Sequence, residues 1–147
     1  MKAVIQTVCD CTCTVGGNEI SHIDKGILVY FGVEKDDTVD MVEPFISKIL
    51  RLRIYRDAED RKMTHSIMDR TKEVMFISQF TLAGDLGRGN RPSFDNAMKG
   101  ENALVFYEKG LEVLRRSGVK TAGGVFGAHM MIRYTNDGPE TFLLGKN

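Results

Sequence analysis

Two short clusters of residues in this 147-residue chain have the types and spacing to do chemistry. The first is Ser78, Gln79, Phe80 and Thr81, where the apolar run of residues 73–80 enters a glycine-rich stretch. Hydroxyls and an amide at a strand end stand beside backbone N–H groups that the sheet no longer uses, an arrangement that can bind an oxyanion. The plainer alternative is a strand end whose polar residues cap a turn, and composition alone favours it. The second cluster is Asn136, Asp137, Gly138, Pro139, Glu140 and Thr141. Asn-Asp-Gly-Pro reads first as a tight turn between two strands. A Gly-Pro bond can also be cis, at about 0.5–1 kcal/mol, which would make the turn a rigid backbone device.

Other common machinery is missing. The sequence holds no Walker loop, no dinucleotide fingerprint, no HExxH and no GxSxG. His22, His65 and His129 are scattered without a partner that would mark a catalytic triad, and His129 reads as an ordinary strand residue beside Met130 and Met131. Cys9, Cys11 and Cys13 fall at every second position, so on a regular strand they share one face with Ala3, Ile5 and Val15. They read as small buried apolar side chains. Structural zinc wants four ligands, commonly in spaced pairs, and no second pair exists, so neither metal nor cofactor is expected. An odd cysteine count also speaks against a disulfide framework. Catalysis would lean on backbone groups, hydroxyls or the substrate itself.

These clusters need elements to hold them. Residues 2–9 alternate as a strand that continues towards Val15, and Gly16, Gly17 and Asn18 turn the chain into a short strand near residues 19–21. Residues 26–33 are apolar throughout, which predicts a central strand covered on both faces. Val42, Phe45, Ile46, Ile49 and Leu50 form one helical stripe, with Asp40 and Glu43 as a capping pair and Pro44 near the first turn. A short strand over residues 52–55 and a charged, solvated turn over residues 56–62 precede the strand of residues 73–80. Residues 83–100 make a long loop, and long ordered loops usually serve function. A second helix spans about residues 101–117 and ends at Gly118, while Gly110 inside it marks close packing. A strand over residues 127–135, a turn over residues 136–139 and a last strand near residues 140–144 complete the chain. The order is α+β: one domain over residues 1–147, with an antiparallel or mixed sheet packed on two main helices.

Composition narrows the partners. Hydrophobic residues make up 42%, enough for a real core, and 20 basic residues balance 20 acidic ones. Zero net charge argues against coating nucleic acid through bulk electrostatics, though a local basic patch could still meet one RNA end. The apolar run over residues 1–8 is too short for a signal peptide, and no stretch approaches the roughly 20 apolar residues of a membrane helix. A cytoplasmic protein without a membrane partner is expected.

Together the two clusters resemble the D-aminoacyl-tRNA deacylase family. The resemblance runs along essentially the whole chain. It includes residues 1–6, 32–37, 78–83, 88–94, 124–128 and 136–141, and the pairing of Ser-Gln-Phe-Thr with a later Gly-Pro-x-Thr is specific. It implies a barrel-like, homodimeric fold that hydrolyses the ester of D-aminoacyl-tRNA, with no DNA partner. Ser78, Gln79, Phe80 and Thr81 would line the site, and the Phe80 N–H, alone or with Thr81, would hold the oxyanion. Water aided by the substrate's ribose hydroxyl would attack, with Thr81 as nucleophile the second possibility. Gly138, Pro139 and Thr141 would select chirality across the dimer, rejecting any L side chain while admitting glycyl-tRNA. Phe126 and Met130 would pack near the terminal adenosine, and Arg88 and Arg91 would meet phosphates.

Two positions depart from the family pattern. Thr7 stands where an arginine usually braces the Gly-Pro turn, and Glu140 stands where valine is usual. These put the strictness of D-selection in question more than the reaction class. Two alternatives follow: a tRNA-editing relative with relaxed chirality that acts on mischarged L-alanyl-tRNA, and a non-catalytic RNA-binding or DNA-associated module on the same scaffold.

Overall fold

A computed structural model of the chain describes residues 1–57, 59, 62–70, 73–87 and 89–145. The elements in chain order are β1 (Lys2–Val15), β2 (Asn18–Gly32), α1 (Val42–Arg51), β3 (Tyr55–Arg56), β4 (Met63–His65), β5 (Glu73–Ser78), α2 (Gly100–Arg116), β6 (Lys120–Gly123) and β7 (Met131–Gly145). Single 3-10 turns lie at Val39–Met41, Ile67–Asp69 and Phe80–Ala83. Five strands form one sheet in the order β6-β5-β2-β1-β7, and β3 pairs with β4 in a separate hairpin. β1 runs antiparallel to both β2 and β7, whereas β2, β5 and β6 are parallel neighbours. The single α+β unit with a mixed sheet is therefore as expected. The sheet is open, with β6 and β7 at opposite edges, so the expected barrel closure is not present.

The parallel pairs follow from the helices. Each crossover from one parallel strand to the next carries a helix, α1 between β2 and β5 and α2 between β5 and β6. Both helices bury their apolar stripes on one face of the sheet, where Ile46, Ile49 and Leu50 of α1 and Phe106, Val113 and Leu114 of α2 meet Ile5, Ile27, Val29, Phe31 and Phe76. The opposite face gathers Val8, Cys11, Cys13, Ile23, Leu28, Met75, Ile77 and Ala122. Residues 27–31 of β2 alternate between the two clusters, as a strand covered on both faces should. The first half of β2 also reaches β6, where Ser21 Oγ donates to Gly123 O at 2.7 Å.

Several boundaries differ from the expectation, each for a local reason. The predicted strands over residues 19–21 and 26–33 are one continuous β2. Cys11 and Cys13 do not share a face with Ala3 and Ile5. Asp10 sits at φ +59°, and the β1–β7 register slips between Cys9 and Thr12. One extra residue reverses the side-chain alternation, so Cys11 and Cys13 join Val8 on the far face. Asp40 and Glu43 do not cap α1. The 3-10 turn leads into the helix with no side-chain cap, and Glu43 instead accepts from Arg116 Nη2 at 2.6 Å. The strand predicted over residues 52–55 is Tyr55–Arg56, paired across the charged turn with Met63–His65.

Candidate active site

β5 and β2 run side by side until Phe31 pairs with Ser78, and Gln79 N then donates to Phe31 O at 2.7 Å. Beyond that bond the chain tightens into the 3-10 turn Phe80–Ala83. Gly32 makes room for it: a Cβ there would lie 2.8 Å from Gln79 O and 2.9 Å from Leu82 Cβ. The first N–H groups of a helical turn find no acceptor inside it, and Phe80 opens this one with 56% of its surface exposed. Gln79 Oε1 accepts from Thr81 N only at a long 3.4 Å. Phe80 meets Phe94 of the following loop edge to face at 5.0 Å. That loop is pinned rather than free, since Met98 N donates to Val33 O at 3.0 Å and Asp85 bridges to Ser93.

Tyr107 of α2 builds the opposite wall. Its hydroxyl donates to Phe76 O at 2.8 Å and accepts from Gly124 N at 3.0 Å, tying the end of β6 to β5. Burial pushes the Tyr107 phenol up to about 12, so it remains a protonated donor. The segment after Gly124 is not the strand expected from residue 127. Gly127 takes φ +75° and Ala128 N donates to Val125 O, so residues 124–130 form a loop before β7 starts at Met131. The loop turns Phe126, His129 and Met130 towards β5. At Gly124 the fit is close, because a Cβ would lie 2.3 Å from Met130 Sδ.

Between these walls lies a cavity of about 700 Å³, large enough for a nucleoside-sized ligand. The structure brings Ser78, Gln79, Phe80, Phe126 and Met130 together in its lining, with Tyr30, Tyr107, His129 and the start of α2 at Gly100. Thr81 does not line it. No carboxylate, lysine or arginine is among the described residues of the lining, so the available chemistry is backbone N–H, amide and hydroxyl. Arg91 is exposed on the loop and is not among the lining residues, and Arg88 lies outside the described residues. Sequence reasoning missed Tyr30 and Tyr107 and took His129 for a sheet residue. Tyr107 could have been found as the one polar-tipped aromatic on the buried face of α2, since such a hydroxyl needs a partner.

Gly138, Pro139 and Thr141 do not line this cavity. They belong to a protrusion of β7 rather than to a turn between two strands. Val8 pairs with Asn136 and Gln6 with Thr141, so four residues of β7 stand opposite Thr7 alone. The Gly138–Pro139 bond is cis. Side chains pin the protrusion at its base. Thr7 Oγ1 donates to Asp137 O, and Asn136 Nδ2 donates to Thr7 O at 2.9 Å. Thr141 Oγ1 donates to Pro139 O at 3.2 Å while accepting from Gln6 Nε2 at 3.0 Å. Glu140, the second departure, is half-buried, and its carboxylate accepts from Arg56 Nε at 3.1 Å.

Comparison with known proteins places this geometry. The D-Tyr-tRNA(Tyr) deacylase family model matches residues 4–145. A D-aminoacyl-tRNA deacylase of Clostridioides difficile is 46% identical over 144 residues, covering 98% of this chain and 96% of its own. One of Thermodesulfovibrio yellowstonii is 44% identical, covering 98% of each. Among solved structures, one described as c-Myc DNA Unwinding Element Binding Protein superposes with a TM-score of 0.92 at 40% identity, over 100% of this chain and 99% of that one. A probable eukaryotic D-amino acid tRNA deacylase shares the fold, with a TM-score of 0.81 at 15% identity over 97% of each chain.

Proposed function

The chain belongs to the D-Tyr-tRNA(Tyr) deacylase family, and from that premise we propose that it hydrolyses the ester between a D-amino acid and the terminal ribose of tRNA. The observation that carries this is the uncharged cavity at the end of β5, with the freed N–H of Phe80 at its edge. An aminoacyl ester is already activated, so one preorganised donor for the developing oxyanion supplies much of what hydrolysis needs. Phe80 N–H is that donor, and Ser78 and Gln79 orient the ester. Water attacks, helped by the neighbouring ribose hydroxyl of the substrate, because among the described residues no histidine, carboxylate or amine hydrogen-bonds to Thr81 to make it a nucleophile. Phe126 and Met130, with Tyr107 behind them, receive the terminal adenosine, and Arg88 and Arg91 meet the phosphates behind it.

Chirality is set by main chain. The protrusion of Gly138 and Pro139 does not line its own cavity and works in a second copy of the chain. Its support is the exposed edge it sits on. β7 ends the sheet, and Met131 and Leu143 on it are 68% and 84% exposed, apolar area that a homodimer would cover. Carbonyls held there accept the substrate's α-amino group and crowd the place of an L side chain, whatever its identity. Glycine, lacking a side chain, is also admitted.

The test is release of free amino acid from tRNA charged with D-tyrosine, glycine or L-alanine, with light scattering to give the molar mass. Fast D-tyrosine and glycine release by a dimer is expected. L-alanine release as fast as D-tyrosine would shift the reading to an editing enzyme of relaxed chirality. The name of the 40%-identical structure favours a second reading, a nucleic-acid-binding module. Binding of charged tRNA or of duplex DNA without any release would select it, although the balanced charge disfavours it. No described helix is long and apolar enough to cross a membrane.

A further inference from the structure

The hairpin of β3 and β4 stands apart from the main sheet and has no part in the cavity. It carries Arg56, whose guanidinium reaches Glu140 on the protrusion of β7. The Glu140 carboxylate is used twice. Its Oε1 accepts from Arg56, and its Oε2 lies 2.7 Å from where a Cβ on Gly138 would sit, so the group lies across the glycine next to Pro139. Arg56 is itself steadied, because Arg70 Nη2 donates to Arg56 O at 3.1 Å. Between the hairpin and the base of the protrusion lies a gap of about 350 Å³, bordered by Val8, Tyr55, Arg70 and Asp137. The protrusion therefore does not lean on the hairpin by packing there, and the ion pair spans the space. On its inner side the protrusion is tied to β1 through Thr7, Gln6 and Asn136. Those bonds hold its base, and Thr141 also ties the Pro139 carbonyl, whereas Glu140, which follows Pro139 directly, ties the protrusion outward to the hairpin.

We propose that Arg56 and Glu140 form a positioning pair that fixes the tip of the β7 protrusion and so sets how strictly the enzyme separates D- from L-aminoacyl-tRNA. The inference rests on the functional reading above. A wedge that discriminates by contact works only if its atoms are held to a fraction of an ångström. Neither residue lines the cavity of its own chain, and in this proposal both act through Gly138 and Pro139.

The experiment compares hydrolysis of D-alanyl- and L-alanyl-tRNA, on the same tRNA, by the full chain and by Arg56→Met, Glu140→Gln and the double variant. Taking the ratio cancels general effects on tRNA binding, including its dependence on salt. An ion pair of this exposure can shift the ratio by about two- to fivefold. The expected result is that each single variant lowers the D-to-L ratio by that amount and the double variant lowers it no further. Raising salt should lower the wild-type ratio towards theirs and leave theirs in place, a response that a purely structural role would not produce. Melting temperatures check that all the variants fold. Unchanged ratios in both single variants, or effects that simply add in the double, overturn the proposal. Wild-type protein that releases neither enantiomer overturns the functional reading and this proposal with it, whereas clear wild-type discrimination that the variants share overturns the proposal alone.

Discussion

Gly110→Ala pits two effects of known size against each other. In an exposed helix the change would stabilise by about 1 kcal/mol, because alanine loses less backbone freedom than glycine. Here the added Cβ would lie 2.8 Å from Phe76 Cε1 and 2.9 Å from Phe76 Cζ. Ordinary carbon contacts are about 3.5–4.0 Å, so the ring or the helix must move by most of an ångström. Phe76 has nowhere to go: it is fully buried, 5.1 Å from Phe31 and stacked on Tyr107 at 5.4 Å. Overpacking costs about 1–3 kcal/mol. With the ring held on both sides the upper part of that range, about 2–3 kcal/mol, applies, and it leaves a net loss of about 1–2 kcal/mol after the helix gain. For a chain of this size, at about 2–4 °C per kcal/mol, the melting temperature should fall by about 2–8 °C. Urea denaturation followed by circular dichroism measures the loss directly. D-aminoacyl-tRNA hydrolysis should weaken too, because Phe76 O and the Tyr107 hydroxyl together hold Gly124 and the cavity wall. A variant as stable as the wild type would show that α2 can lift off β5 freely, and the account of how the cavity is supported would be wrong.

Two further outcomes follow from the same geometry. Thr81→Ala should keep at least about a third of wild-type kcat, since Thr81 does not line the cavity and a loss of that size is under 1 kcal/mol; a trapped acyl-Thr81 ester seen by mass spectrometry would overturn the water-attack mechanism. Stability should also fall in alkali. Burial raises the Cys11 thiol from 9.0 and the Tyr30 and Tyr107 phenols from 10.0 to about 12. The unfolded chain therefore releases these protons first, so the stabilisation is complete below about pH 9 and is lost as pH rises towards 12. The urea midpoint should drop between pH 8.5 and 10.5, with a shallower slope in Cys11→Ala, and a flat profile would contradict the burial assigned to these groups.

What could be read in advance depended on how local its cause was. Residues 26–33 announced a doubly covered strand because each side chain in the run is apolar, and the stripe from Val42 to Leu50 announced a helix because its period is set by those residues alone. Gly110 was legible as a close approach for the same reason. The faces of Cys11 and Cys13 were not legible, since a single residue, Asp10 at φ +59°, reverses the alternation, and that bulge depends on how β7 pairs alongside. The loop over residues 124–130 was hidden in the same way. Its composition suits a strand, and it leaves the sheet because Gly127 turns and Tyr107, distant in sequence, captures Gly124 N.

The site shows the same division. The place of Ser78, Gln79 and Phe80 was recognisable because standing where a strand runs out is a fact about their own segment. The Asn136–Thr141 cluster was misjudged in shape. A tight turn would have ended one strand and begun another, whereas the partner register shows β7 continuing on both sides with four residues opposite Thr7 alone. That difference bears on mechanism. A hairpin tip can sway with its strands, but a protrusion whose two shoulders remain in register with β1 has its base anchored twice by the sheet. Thr7 and Asn136 close that base from inside, and a short threonine suffices there because β1 already brings it within reach of Asp137 O. Glu140 need not loosen the protrusion either, since its carboxylate accepts from Arg56 Nε and is held against the hairpin.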